Sequence, residues 1–425
     1  MWRNWKIFVV PIATLLGFGC TKKPERVLRV LSFRDRQSAA LRIALPEFEK
    51  QHSIRVQFDD IPASTVATKM MTDLAAGGTY DVYTVDEPFI PQFYTSLLSV
   101  EEWPLTTTDK NTGGFESKAL EAAKVQGSLV GLPVNGNVYQ YIFRKDLLND
   151  PVEKTNFQKR FNRALQPARS FLELREIAQF FHRPPNLYGF APFTKMSEGT
   201  TVELLWLLAG FGYKPGSTNI DIATISEALE FYESLLKTAP KSARAWHHTE
   251  RMSAYAKGRV AQMMTWNSFF FDLEDEHKSL VVGKTGYALS PGTDSTGIAG
   301  TWIAGVRKNS LEVEAAANFV RWWTSREVNE ALIPKGLSTA RSDLLQQSRL
   351  TAQFPWLSST HLNFERAFLR PRHKQYRSTS DELSKAFTRW IAGQKTLSET
   401  ASELYAALGR MNELAMGGSQ RKEAH

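Results

Sequence analysis

Cysteine is nearly absent from this chain: Cys20 stands alone in 425 residues. No disulfide within the chain can therefore support the fold. There is also no His-Glu-x-x-His helix and no cluster of Cys and His at metal-ligand spacing, so no metal site is expected. Gly210-Phe211-Gly212 lacks the third glycine of a dinucleotide loop and follows a helical pattern instead of a strand, and no cofactor is expected. No stretch is of low complexity. The formal charge of +8 is modest for the length and its signs are interspersed, which does not describe a nucleic-acid binder.

What is present begins with the first twenty residues. Arg3 and Lys6 precede an apolar run over residues 7–16, and Gly17-Phe18-Gly19-Cys20 follows. A basic start, an apolar run too short to span comfortably and small residues at its end describe an export signal over 1–19. The lone cysteine at the cleavage point resembles a bacterial lipobox, in which Cys20 is lipidated and becomes the mature N-terminus; Gly17 and the bulky Phe18 depart from that pattern. Residues 20–26 then form a polar tether, and the remaining length is enough for two or three domain-sized units.

Strand patterns at 27–33, 54–58 and 80–85 alternate with helical patterns at 38–51 and 65–76, the last ended by Gly77-Gly78. In the first helix Ala39, Ile43, Leu45 and Phe48 form the apolar set. Strand, helix, strand, helix, strand with short connections predicts a parallel α/β sheet, whose ligands meet the loops at the carboxyl ends of the strands. Gly131-Leu132-Pro133, a backbone punctuation mark, precedes the apolar strand pattern Val138, Tyr139, Tyr141, Ile142 and Phe143. A chain leaving one compact unit through a Gly-Pro turn and entering another in a strand reads as a hinge crossing, and clefts form where two units face each other.

That stretch resembles the signature of the family 1 extracellular solute-binding proteins, the sugar-type binding components of ATP-driven importers. Gly127 to Pro133 and Phe143-Arg144-Lys145-Asp146-Leu147-Leu148 stand in its places, with Arg144 replacing the usual Asn. Tyr80-Asp81-Val82 with Asp86, Tyr188-Gly189-Phe190, Phe231-Tyr232, residues 255–266, Gly300-Thr301-Trp302 and residues 336–342 follow in the family's order. The resemblance runs from about residue 25 to 410. It implies a two-lobed periplasmic-binding-protein fold of type II, with discontinuous α/β lobes joined by a hinge and the ligand cleft between them. Carried over, lobe one is 27–132 plus 284–338, lobe two is 139–283 plus 342–412, and 413–425 is a disordered tail. It further implies a monomer that captures a sugar or oligosaccharide, hands it to an ABC permease and performs no chemistry. A non-sugar solute such as a polyamine, and an exported glycan-acting hydrolase, are the alternatives.

The candidate contacts are Arg34 and Asp35 after the first strand, Asp86 after the third, Asn135 and Asn137 beside the hinge, Trp206, Trp266, Trp302 and Arg341. A pyranose offers an apolar face to a flat ring and hydroxyls to Asp, Asn and Arg. Trp266 and Trp302 are expected to form the floor, one from each lobe, with core packing as the competing reading for all three tryptophans. Trp322-Trp323 sit in a helical pattern and read as core. Other chemistry fits less well. Ser234-Leu235-Leu236-Lys237, Ser217-Thr218-Asn219 and Lys284-Thr285-Gly286 match the short motifs of penicillin-recognising serine enzymes, but in the wrong order. His247-His248 read as solvated loop. The basic run 365–377, with Arg366, Arg370, Arg372, His373, Lys374 and Arg377, reads as a solvated face, or else as a docking surface for a membrane partner or anionic headgroups.

Overall fold

The computed structural model of the chain describes residues 26–104, 113–216, 220–292 and 297–420. The signal segment 1–19 and Cys20 lie outside the described residues.

The strands, in chain order, are β1 (Val27–Phe33), β2 (Arg55–Ile61), β3 (Val82–Asp86), the hairpin pair β4 (Lys124–Val125) and β5 (Ser128–Leu129), β6 (Leu132–Asn135), β7 (Val138–Arg144), β8 (Gln262–Trp266), β9 (Thr285–Ala288), β10 (Ile298–Ala299), β11 (Trp302–Val306) and β12 (Phe368–Leu369). They build two five-stranded sheets. Lobe one has the order β2-β1-β3-β11-β6, with β1 parallel to β2 and β3, and β11 antiparallel to both of its neighbours. Lobe two is arranged around β7, which pairs with β8 on one edge and with β9 and β10 on the other, and β12 extends it beyond β10. From Val138 to Phe143 every residue of β7 is buried, which is why it reads as a continuous apolar run and not as an alternation.

The first helix shows how local chemistry sets an element. Asp35 caps Arg36–His52 by accepting from the Ser38 N–H, Ser38 returns the bond to the Asp35 N–H, and Ser53 closes the far end in the left-handed conformation. The buried stripe is Ala40, Leu41, Leu45 and Phe48, while Ala39 and Ile43 face solvent. The expected apolar face is therefore rotated by about one residue. In lobe two the helix Glu198–Ala209 is buried from Thr200 through Ala209, a helix apolar almost all round and packed on all sides.

Three crossings join the lobes, and they lie side by side. Gly136-Asn137 carries the chain from β6 to β7, Gly300-Thr301 carries it back from β10 to β11, and a third passage runs through Ser338 to Arg341. The Gly136 N–H donates to the Ser338 carbonyl and the Gly300 N–H to the Asn137 carbonyl, at 2.9 and 2.8 Å. Gly136 is required by close approach, since a Cβ there would lie 2.1 Å from the Thr339 carbonyl oxygen.

Three expectations change. Gly131-Leu132-Pro133 is not the hinge: Leu132 and Pro133 lie in β6, and a Cβ at Gly131 would sit 2.4 Å from the Ala304 carbonyl of the neighbouring strand. The glycine there permits two strands to pack closely. The return to lobe one comes at Gly300 and not near 284, because β9 and β10 hydrogen-bond to β7, a pairing that local pattern cannot reveal. The last helix, Leu397–Gln420, runs through residues 413–420, where the tail was expected, and 421–425 lie outside the described residues.

Candidate ligand cleft

The residues nearest the crossings are fixed by both lobes. Asn135 ends β6 with its side-chain amide donating to Gln37 at 3.1 Å; Gln37, in the first turn of Arg36–His52, donates in turn to the Val134 carbonyl. The Asn135 Oδ1 is buried and has no partner within the protein. Asn137 faces the other way: it donates to the Ser268 hydroxyl and accepts from the Ser268 N–H, both at 3.2 Å. One asparagine thus ties the crossing to lobe one and the other ties it to lobe two.

The two tryptophans expected to come from opposite lobes do so. Trp302 opens β11 opposite both Asp86 and Asn135, and its ring lies against Phe33 with centroids 4.1 Å apart. Trp266 ends β8 and meets the Tyr139 ring edge-on at 5.1 Å. A Cβ at Gly300 would come within 2.5 Å of the Trp266 ring. Trp266 therefore rests against one side of the crossing that Trp302 follows by two residues. Trp302 is 8% exposed, and Trp266 is more open.

The other candidates are placed as follows. Arg34 is exposed and donates to the Asp60 carbonyl, and Asp35 is committed to its helix cap. Trp206 is 1% exposed and packs against Phe171 at 5.0 Å, inside the all-buried helix of lobe two. It belongs to the core, because its helix is covered on every face. Arg341 is likewise structural: it pairs with Asp343, bonds the carbonyls of Thr324 and Gly113, and lies over the Phe115 ring.

Asp86 is not free to face a ligand alone. Both of its oxygens accept from Arg370, at 2.5 and 3.1 Å. The same guanidinium donates to Glu87 at 3.0 Å and to Glu198 at 2.9 Å, and Tyr376 and Ser380 also donate to Glu198. Arg370 is 2% exposed and Glu87 fully buried. Burial pushes the Glu87 carboxyl up to about 7, against the pull of Arg370 and Arg372 and with the push of Asp86. This cluster was missed in the sequence. Arg370 lay within a basic run that reads as a solvated face, and its lobe-one partners are 283 and 284 positions away. The one available signal was the Asp86-Glu87 doublet at a strand end, since a buried acidic pair needs a cation.

Lobe two holds a second buried network around Tyr139, Glu203 and Arg251. The Tyr139 hydroxyl donates to Glu203 and accepts from Arg251 at 2.9 Å, while Tyr232 donates to Glu203 at 2.9 Å. Arg251 also donates to the Ala191 and Met264 carbonyls. Since Tyr139 meets Trp266 edge to face, this network fixes the strand and ring against which Trp266 rests. Among the described residues no group of three or more His, Cys, Asp or Glu is placed to hold a metal ion.

Comparison with known proteins agrees with this geometry. The family model described as "Bacterial extracellular solute-binding protein" matches residues 44–354. A relative in Sinorhizobium fredii, named "Probable amino-acid ABC transporter periplasmic-binding protein", is 22% identical over 77% of this chain and 75% of its own. Among solved structures, maltose-bound MalE3 of T. maritima superposes with a TM-score of 0.77 at 21% identity, covering 91% of this chain and 99% of that one. A ribitol complex from Agrobacterium radiobacter K84 gives 0.77 at 20% identity, with coverage of 91% and 98%. The acarbose-binding GacH receptor of Streptomyces glaucescens gives 0.75 at 15%, with coverage of 92% and 99%. These likenesses fix the two-lobed fold. With the family model spanning most of the chain, two lobes closing on a cleft beside three adjacent crossings identify this protein as a member of the bacterial extracellular solute-binding proteins.

Proposed function

We propose that the protein is the exported binding component of an ABC importer, that its solute is a sugar, oligosaccharide or polyol held between the lobes, and that it releases that solute unchanged to a membrane permease. The observation that carries this reading is the pair of aromatic faces at the crossing, Trp302 on Phe33 from lobe one and Trp266 on Tyr139 from lobe two. Flat rings with an unpartnered Asn135 oxygen nearby suit a ligand that has apolar C–H faces and a rim of hydroxyls. The exposed Arg34 and Asn137 at the crossing complete the contacts we assign. Relatives of the same fold were solved with maltose, ribitol and acarbose, which supports the same class here.

Against the hydrolase alternative weighs the state of the cleft carboxylates. Asp86, Glu87 and Glu198 are all engaged by one guanidinium, whereas a glycosidase needs two carboxyls set apart across the scissile bond. The name of the Sinorhizobium relative keeps an amino acid as the competing solute. Thermal-shift measurement against maltose, ribitol, mannitol and the common amino acids, with mass spectrometry of each mixture afterwards, separates the readings. A rise in Tm with a sugar or polyol, recovered intact, is expected. Stabilisation by amino acids alone would overturn the solute class, and a cleaved sugar would overturn the absence of chemistry.

We assign Cys20 as a lipid anchor and the protein as a monomer. The native protein should then partition into detergent and Cys20→Ala should not. Native protein with an intact residue 1 and no lipid mass would end the anchor reading.

A further inference from the structure

The chain that follows β12 reaches across the cleft twice. Arg370 directly succeeds a strand of the lobe-two sheet, yet two of its three carboxylate partners belong to lobe one: Asp86 ends β3 and Glu87 opens the 3-10 turn after it. The third, Glu198, opens a helix of lobe two. Two residues on, Arg372 donates to the carbonyls of Glu121, Ala122 and Lys124 at 3.1, 3.0 and 3.2 Å. The first two of these belong to the end of the helix Ser117–Ala122, where carbonyls lack intrahelical partners and partial negative charge collects. Pro371, buried between the two arginines, restricts the backbone that presents them. Beside them the ring of Tyr376 meets Phe89, from the segment after β3, edge-on at 5.3 Å.

We propose that Arg370 and Arg372 form a latch that holds the two lobes closed through contacts of the protein with itself. Every bond of the latch runs from the lobe-two chain to a carboxylate or carbonyl fixed by an element of the other lobe, or to Glu198 beside it. Closure therefore draws on these bonds whichever solute occupies the cleft. The latch is also able to open. Separating the lobes would return Arg370 and Glu87 to water, and the hydration regained offsets much of the charge attraction lost, as it does for buried ion pairs in general. A cluster balanced in this way shifts the open–closed equilibrium without locking it, and a solute then adds only the remaining preference. The basic run that reads as a solvated face is on this account an internal strap.

The test is small-angle scattering of protein freed of solute by unfolding, dialysis and refolding. Arg370→Gln removes the charge at the centre, and Arg372→Gln removes bonds to carbonyls without stranding a buried carboxylate. Circular dichroism reports whether each variant retains its fold. We expect a compact wild type whose radius of gyration matches the closed arrangement, and a larger radius for each folded variant. A wild type with the same radius as Arg372→Gln and as any folded Arg370→Gln would overturn the latch. Loss of fold in both variants would overturn it too, because the cluster would then belong to the core and not to a separable contact.

Discussion

Three tryptophans with the same side chain are placed in three different surroundings. Trp206 is enclosed by its own helix and by Phe171, so Trp206→Ala should cost about 3–5 kcal/mol of stability and leave the solute affinity of the folded fraction unchanged. Trp266 stands on Tyr139 with more of its ring open. Trp266→Ala is expected to weaken solute binding by about 5- to 150-fold, the equivalent of ~1–3 kcal/mol, with a smaller change in Tm. Trp302, mostly covered by Phe33, should lose both stability and affinity. Calorimetry and thermal unfolding of the same three variants separate these outcomes, and native affinity in Trp266→Ala would remove that ring from the site. Glu87 makes a prediction in pH. Its carboxyl is raised from about 4.5 to about 7, so the folded chain keeps a proton that the unfolded chain has already lost. Where the folded state binds more protons, stability falls as pH rises, here between about 4.5 and about 7. Glu87→Gln has no such proton, and the difference in Tm between wild type and variant should change across that window; a constant difference from pH 4 to pH 8 would contradict it.

Among the elements, the crossings are where a single methyl group matters most. A Cβ at Gly136 would meet the Thr339 carbonyl at 2.1 Å, so Gly136→Ala must push the first and third crossings apart. The expected cost is on the order of 1–3 kcal/mol. Because the displaced contact is the one that aligns the lobes, the solute-bound radius of gyration should grow as well, and a variant with native Tm and native radius would show the crossings to be looser than drawn. The sequence made the local elements readable for physical reasons. The strand–helix alternation of the first ninety residues and the buried run of β7 are encoded within a few positions of one another, whereas Asp35, expected at a ligand, is a helix cap. What was not readable is long-range. That β9 belongs to lobe two depends on hydrogen bonds to β7, and the rotated face of Arg36–His52 depends on what packs over it. The glycine that matters at the hinge is distinguished from Gly131 only by the chain that passes above it.

At the scale of the whole molecule, the two-lobed plan could be inferred because many loose motifs fall in one order, whereas the cleft was only half legible. The placement of Trp266 and Trp302 on opposite lobes was legible from the strand ends they occupy. Arg370, Glu87 and Glu198 were not, since a buried ion cluster assembled from positions 86 to 370 leaves no periodic trace. One topological feature bears on how such a chain comes into being. In lobe one β11 is inserted between β3 and β6, although some 170 residues of lobe two separate β6 from it in the chain. During synthesis the first lobe is therefore a sheet with a gap: β3 and β6 present open edges until residue 306 has been made. Pairings of this span form slowly, and they cannot begin before the second half of the polypeptide exists. A chain interrupted before Trp302 has no complete lobe at all.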